Sequence, residues 1–420
     1  MHHFAYRGGV LHAEGVDLEK LATDIGTPFY CYSTATLKRH YDIFTEAFSG
    51  QNARIYYSVK ANSNQAVLKS LIGFGAGMDV VSGGELQRAL AAGASGADIV
   101  FSGVGKTEDE IRAGIQNHIL SFNVESHAEL QQISEIAVSL GKSAAIAIRV
   151  NPDVDAKTHV KITTGRAENK FGVPFNDARG LYKTAGALPG IEITGIAMHI
   201  GSQITDLEPF GEAFKLMADL ATDLTADGHD IRHLDLGGGL GIPYAKGDPA
   251  PPLPSAFADI VKSCLGHLGC RLMLEPGRMI AGNAGILVAR VVNVKPGEVK
   301  TFAILDAAMN DLIRPTLYEA HHDFLPVSKP QGAEQARYDI VGPICESGDY
   351  LARSRQMPPL QAGDLVAAMT AGAYGAVQSG TYNSRPLVAE VLVHGDTYAV
   401  IRPRQRIEDL IGLDRIPDWL

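Results

Sequence analysis

Eight short β-branched and aromatic runs alternate with helical patterns across the middle of this 420-residue chain, and that rhythm limits the fold more than anything else. The runs are Ile55–Val59, Met78–Val81, Ile99–Ser102, Leu120–Val124, Ala144–Val150, Ile193–Ile200, His233–Leu236 and Arg271–Leu274. Between them fall helical patterns such as Gln65–Gly73, Gly84–Ala92, Glu108–Asn117, Ser126–Leu140, Asp177–Ala187 and Pro209–Asp227. Alternation of this kind predicts a parallel sheet, and eight units can close into a (β/α)8 barrel. An open doubly wound sheet is the alternative. The count of eight, and polar residues at every strand end, favour the barrel. In such barrels chemistry gathers at the carboxyl ends of the strands. Here those ends carry Lys60; Asp79 and Ser82; Ser102; Glu125; Arg149 and Asn151; His199 and Ser202; Gly237, Gly238 and Gly239; and Glu275 with Arg278.

The flanks read differently. Residues 1–35 carry a Gly8-Gly9 turn and the strand-like run Thr27–Tyr32. A helix follows, with Ser33 or Thr34 as its cap and Leu37, Tyr41, Phe44 and Phe48 on one face. The barrel is expected over 36–281. Residues 282–420 show strand-like runs (Gly285–Val294, Thr301–Asp306, Leu365–Met369, Val388–Val393) without regular helices. They predict a second, mainly antiparallel β domain, which the amino-terminal segment joins. The connection Asn151–Val173 is long enough to be an active-site loop. The run Pro249–Pro254 reads as a rigid loop.

A net charge of -10 argues against a nucleic-acid partner. No run of about 18 apolar residues exists to span a membrane. Met1–Arg7 lacks the apolar core of a signal peptide. Cys31, Cys264, Cys270 and Cys345 have no paired or zinc-like spacing, so reduced thiols in a cytoplasm are expected.

Individual motifs each allow a structural and a chemical reading. Lys60 could be a solvated strand end, or an amine aimed into a pocket. Gly237–Gly241 departs from a dinucleotide fingerprint, because Ile242 stands where the last glycine belongs. It is a tight turn or a phosphate cradle. Ser102–Thr107 imitates a nucleotide-binding loop but has Val100 in place of its first glycine. Thr107 reads there as a helix cap. His199 could be structural, or could stack on an aromatic cofactor, with Ser202 near a phosphate. Glu275 with Arg278 is a surface ion pair, or a carboxylate facing a ring nitrogen beside an anion-binding guanidinium. Lysine, phosphate cradle and carboxylate together suggest pyridoxal phosphate. Arg314 with Tyr318 could bind a carboxylate. Cys345-Glu346 sets a thiol beside an acid, although a cysteine is most often buried and inert. Tyr374 is flanked by small residues. Adjacent His321 and His322 point apart on a regular element, so no metal is assigned.

Tyr57–Asn62, His199–Gln203, Gly237–Gly239, Glu275–Arg278, Cys345–Asp349 and Ala371–Gly375 together resemble the diaminopimelate decarboxylases. These belong to a barrel-fold (fold type III) pyridoxal-phosphate family that includes ornithine and arginine decarboxylases. The resemblance covers nearly the whole chain and implies specific roles. Lys60 would hold the cofactor aldehyde, His199 would stack on its ring, and Glu275 would pair with its nitrogen. Gly237, Gly238, Gly239, Ser202 and the backbone of Glu275, Pro276, Gly277 and Arg278 would hold its phosphate. Asp79 joins the cofactor set. Arg278, Arg314 and Tyr318 would hold substrate carboxylate, Glu346 the distal ammonium, and Tyr374 both cofactor and substrate. Cys345 would donate the proton or assist its donor. A homodimer is implied, with Cys345 and Glu346 supplied by the neighbouring subunit.

The expected reaction is decarboxylation of meso-2,6-diaminopimelate to lysine. Its distal end carries both charges, which Arg314, Tyr318 and Glu346 match. Ornithine would leave a buried arginine unpaired there. The other readings are an ornithine- or arginine-type decarboxylase, a racemase with an arginine at the ring nitrogen, and a non-catalytic cofactor-binding protein.

Overall fold

The computed structural model describes every residue except Met1, Lys157, Val160, Ala167, Lys246, Asp248, Pro249, Gln331 and Ala333. The chain forms two compact units: Arg39–Ile242 with Pro249–Met279, and Met1–Lys38 with Pro243–Asp248 and Ile280–Leu420.

The first unit is a closed parallel barrel. Its strands are Ala53–Ser58, Gly77–Val80, Ile99–Phe101, Ser121–Val124, Ala144–Asn151, Ile191–Ala197, His233–Asp235 and Arg271–Leu274. Each pairs with the next in sequence, and the eighth pairs with the first through Leu274 and Ile55. Strands buried on both faces read as nearly continuous apolar runs, and Ile55, Tyr56 and Tyr57 are all buried.

Caps set where three successive barrel helices begin. Ser82, Thr107 and Ser126 each accept the backbone N–H three residues on, from Glu85, Glu110 and Glu129. Only Thr107 completes the reciprocal capping box. Glu129 turns instead to Lys106, whose buried ammonium donates to it and to the carbonyls of Gly103 and Asn123, all within 2.8 Å. The nucleotide-loop look-alike is thus a strand-to-helix turn fixed by a buried ion pair.

Several boundaries differ from expectation. The first strand ends at Ser58, and Lys60 rides the 3-10 turn Val59–Ala61 that follows. The sixth ends at Ala197, so His199 and Ser202 lie beyond it. The proline run hid a helix, Pro254–Leu265, with Pro254 in its first turn, where a missing N–H costs nothing. Its Phe257 packs edge-on against Phe210 of helix Glu208–Ala226, at 4.9 Å. Pro249 and three residues of the expected 151–173 loop lie outside the described residues.

The second unit holds a mixed sheet. Strand Phe29–Ser33 pairs antiparallel with Gly285–Pro296 and parallel with Ala389–His394. Thr301–Leu305 pairs parallel with Ala336–Val341, and the sheet's other pairings are antiparallel. The amino-terminal segment falls in this unit. Phe4–Arg7, Val10–Ala13 and Val16–Asp17 make a small sheet of their own, packed into a shared core with Phe29, Ile286, Val288 and Val391. Strands Phe324–Pro326, Tyr350–Met357 and Thr397–Arg402 and helix Leu18–Ile25 also went unread in the sequence.

Candidate active site

The barrel's strand ends bring one lysine to a group of buried carboxyls. Lys60 Nζ lies 3.9 Å from Oδ2 of Asp79, which is fully buried on the second strand. Ser58 Oγ donates to the same oxygen at 2.8 Å. Asp235 closes the seventh strand and is nearly inaccessible. It accepts the Asn123 side-chain amide at 2.7 Å and the Gly237 N–H at 3.0 Å. Glu275 follows the eighth strand and is hydrogen-bonded to Asp235.

Burial lifts the Glu275 carboxyl well above its usual range. The negative fields of Asp235 and Asp79 add to this, and Lys60 opposes it. Burial also raises Asp235, but hydrogen bonds from Glu275, Asn123 and Gly237 favour its anion. Both carboxyls are thus raised, Glu275 the more strongly. Glu275 Oε1 and Asp79 Oδ1 remain buried without a hydrogen-bond partner among the described residues. Such groups are costly unless something meets them.

The glycine cluster is set by close backbone approach. A Cβ on Gly237 would stand 2.6 Å from His199 Nδ1, one on Gly238 2.2 Å from the Glu275 carbonyl, and one on Gly239 2.5 Å from the Gly201 carbonyl. Gly237 and Gly239 also have left-handed φ of +64° and +111°. The Gly238 N–H donates to His199 Nδ1 at 3.2 Å, which leaves the imidazole proton on Nε2. Burial, then Lys60 and Arg149, hold His199 well below the usual histidine range, so the ring is neutral at pH 7. Arg278 is buried at the start of a short helix and donates to Ser202 Oγ at 3.0 Å. Ser58 N–H reaches the Pro276 carbonyl at 3.4 Å, and Gly277 leads into that helix. Arg149 pairs with Glu125 at 2.8 Å, and Glu125 also accepts the Gly172 N–H.

The second unit has its own polar group. Arg314 opens helix Arg314–Tyr318 and is buried. Its NH1 meets Nε2 of buried His322 at 2.8 Å, and its Cζ lies 4.4 Å from the Tyr244 ring centre. The Gln378 amide donates to the Tyr318 hydroxyl at 3.5 Å. Tyr374 has a left-handed φ of +56°, uncommon for a side chain of its size.

Cys345, expected to donate a proton or assist its donor, is exposed, whereas Cys31 is buried. Cys345 N–H donates to Asn383 Oδ1 at 2.8 Å, and Glu346 is exposed beside it. Asp349 of the same motif is structural. It is buried and accepts the N–H groups of Met309 and Ile344. His321 and His322 face different partners, since His321 meets Asp323 and Arg355.

Four participants escaped sequence reasoning. Asp235 had a signal, an acid just before the glycines at a strand end. Asn123 sits mid-strand, the adjacent His321 and His322 suggest only a metal, and Tyr244 carries no signal. Among the described residues, no group of three His, Cys, Asp or Glu side chains is arranged to hold a metal. Nor is any described helix long and apolar enough to cross a membrane.

Residues 34–282 match the family model of pyridoxal-dependent decarboxylases, pyridoxal binding domain. The chain is 46% identical over 420 residues to a diaminopimelate decarboxylase from Zymomonas mobilis, covering 99% of each. It is 48% identical over 418 residues to one from Vibrio cholerae, again covering 99% of each. Among solved structures it is similar to diaminopimelate decarboxylase from M. jannaschii in complex with L-lysine. That match has 37% identity and a TM-score of 0.95, over 99% of this chain and 98% of that one.

Proposed function

Because the chain belongs to the diaminopimelate decarboxylases, a pyridoxal-dependent family, we propose how its residues divide the work. The reaction converts meso-2,6-diaminopimelate to L-lysine and carbon dioxide, the last step of lysine biosynthesis. The ornithine- and arginine-type alternative is set aside, since the curated relatives at 46% and 48% identity carry the diaminopimelate name.

The barrel residues fit pyridoxal phosphate. The observation that carries the reading is Glu275 Oε1, buried with no hydrogen-bond partner among the described residues. A protonated ring nitrogen supplies the donor it lacks, and its charge offsets the crowding of three carboxyls. A neutral imidazole at His199 suits stacking on that ring. The side-chain-free Gly237–Gly239 turn, with Ser202 and Arg278, suits a phosphate. Lys60 is the amine for the aldehyde, with Asp79 near its ammonium. When bound, the cofactor supplies an aldehyde that condenses with amines and a ring that accepts the electron pair left as carbon dioxide departs.

The protein's own part is to bind, orient and move protons. With the cofactor bound, Glu275 would hold a proton at its ring nitrogen. A racemase-type site would place an arginine there instead. With the cofactor bound, Lys60 would be the amine that holds its aldehyde between turnovers. Arg314 and Tyr318 take the distal carboxylate and Glu346 the distal ammonium. Arg278 contributes to carboxylate binding. Tyr374 serves both cofactor and substrate. The Cys345 thiol delivers a proton to the carbon that lost its carboxylate.

The barrel, 36–281, is thus the cofactor domain. Residues 282–420, with the amino-terminal segment, form the substrate-binding and dimer-forming domain. A homodimer places Cys345 and Glu346 in the neighbouring site, and the enzyme works in the cytoplasm.

The test is carbon dioxide release from meso-diaminopimelate, ornithine and arginine in parallel, with pyridoxal phosphate added and the product identified. Lysine from diaminopimelate alone is expected. Release from ornithine or arginine at comparable kcat/KM would sink the assignment of the substrate groups.

A further inference from the structure

We propose that Asn383 is the positioning residue of Cys345: its side-chain oxygen holds the Cys345 N–H and so fixes where the thiol stands. This rests on the reading of Cys345 as the group that delivers the proton.

The loop that carries Cys345 is pinned on both sides within its own unit. Buried Asp349 takes the Met309 N–H on Oδ1 at 2.7 Å and the Ile344 N–H on Oδ2 at 2.8 Å. Thr316 Oγ1 donates to the Gly348 carbonyl at 2.8 Å. Between these anchors the Glu346 N–H returns to the Ile344 carbonyl at 2.8 Å, a three-residue turn centred on Cys345. Such a turn leaves the N–H of its central residue outside its own hydrogen bond. Asn383 Oδ1 takes that N–H at 2.8 Å, across 38 residues of chain. The N–H groups of Ile344, Cys345 and Glu346 are thus all held, and of these only the Cys345 bond reaches outside the loop.

Asn383 is itself held to the same unit. Before it, the Gly380 N–H donates to the Asn310 carbonyl at 2.9 Å, and the Asn310 amide donates back to the Gly380 carbonyl at 3.1 Å. After it, Arg385 donates to the Asp306 carbonyl. The backbone at Asn383 is left-handed, with φ of +56°. Glycine would meet that need at no steric cost, and asparagine tolerates it. What asparagine adds is the acceptor. Cys345 and Asn383 are both exposed, so solvent would otherwise take the Cys345 N–H. The bond therefore acts on geometry more than on stability. Cysteine has one heavy-atom side-chain torsion, so with its backbone fixed the sulfur has three staggered positions. Without Asn383 the Cys345 peptide can turn and carry the sulfur with it. Proton delivery is sensitive to displacements on the order of 1 Å.

The experiment compares full-length, cofactor-loaded Asn383→Gly, Asn383→Ala and Asn383→Asp with the parent and with Cys345→Ala. KM and kcat for meso-diaminopimelate, the cofactor absorbance and the melting temperature are read for each. Asn383→Gly keeps the backbone and removes the acceptor. Its kcat should fall about 10-fold while KM changes less than about 3-fold, with absorbance and melting temperature near parental. Asn383→Ala should lose as much kcat and also melt lower, since alanine disfavours a left-handed backbone. Asn383→Asp keeps an acceptor and tolerates that backbone, so its kcat should stay within about 3-fold of the parent. In a Cys345→Ala background, Asn383→Gly should change the residual rate less than about 2-fold.

An Asn383→Gly enzyme with parental kcat overturns the proposal. So does a loss confined to KM, an aspartate variant as slow as the glycine one, or an undiminished loss in the Cys345→Ala background. If Asn383→Ala does not fold, the glycine and aspartate variants still decide. A Cys345→Ala enzyme with parental kcat overturns it by another route, since it shows that Cys345 delivers no proton.

Discussion

At the scale of single residues, the chemistry concentrates in a few side chains whose surroundings set their charge. Lys60→Ala should lower carbon dioxide release by about 10³-fold or more and alter the bound cofactor's absorbance, with little change in melting temperature. The raised acids give a pH prediction with a definite sign. Burial lifts Glu275 above the usual carboxylate range, and lifts Glu85 and Asp311 to about 7. Such an acid costs nothing while it is protonated in both folded and unfolded chains. Its cost grows as pH rises past the ordinary carboxylate value and is complete above the raised one. The cofactor-free protein should therefore melt at a lower temperature at about pH 8 than at about pH 5, and Glu85→Gln with Asp311→Asn should flatten that slope. A steeper slope in the double variant would refute this attribution. Lys60, His199, Glu275 and the glycines were legible in the sequence because strand ends of a barrel must converge. His322 and Tyr244 were not, because nothing in the sequence places them against Arg314. Asp235 was legible in place but not in effect, since its hydrogen bond to Glu275 depends on two strands coming together.

At the scale of elements, caps and close turns do the placing. Thr107→Ala removes a full capping box and should cost about 1 kcal/mol of stability, read from denaturant midpoints, with KM and kcat unchanged. A change in KM would mean that the turn touches substrate after all. Gly238→Ala should behave oppositely. Its Cβ would stand 2.2 Å from the Glu275 carbonyl, so the turn must move. Pyridoxal phosphate affinity, measured by absorbance titration, should fall about 10-fold or more. The alternation of strand-like and helical runs made the barrel's elements readable. Their ends were less so: Lys60 belongs to a 3-10 turn, because the strand's pairing stops at Ser58. Helix Pro254–Leu265 was hidden by prolines that a helix tolerates only in its first turn.

At the scale of the whole molecule, the proposed homodimer with shared sites makes a quantitative prediction. Lys60→Ala and Cys345→Ala proteins should each be nearly inactive. Mixed and allowed to exchange subunits, they should regain about a quarter of parental activity, because half of the random dimers carry one intact site. No recovery would place Cys345 in its own subunit's site. The separation of a barrel from a β-rich remainder was visible in the change of rhythm after residue 281. That the first three strands form a separate small sheet was not, because short hairpins do not announce their partners. The pairing of Phe29–Ser33 with Gly285–Pro296 has a consequence for the order of folding. In chain terms the barrel is an insert, since the strand before it and the strand after it are neighbours across roughly 250 residues. Joining them in an unstructured chain means closing a very long loop. Once the barrel has formed, its first and last strands already lie side by side through Ile55 and Leu274. The two strands are parallel, so the chain enters and leaves this pair at opposite ends, and helix Thr34–Ala47 lies in the chain between Phe29–Ser33 and the first barrel strand. The β-rich unit should therefore assemble late, since the loop between its strands Phe29–Ser33 and Gly285–Pro296 shortens only once the barrel has formed.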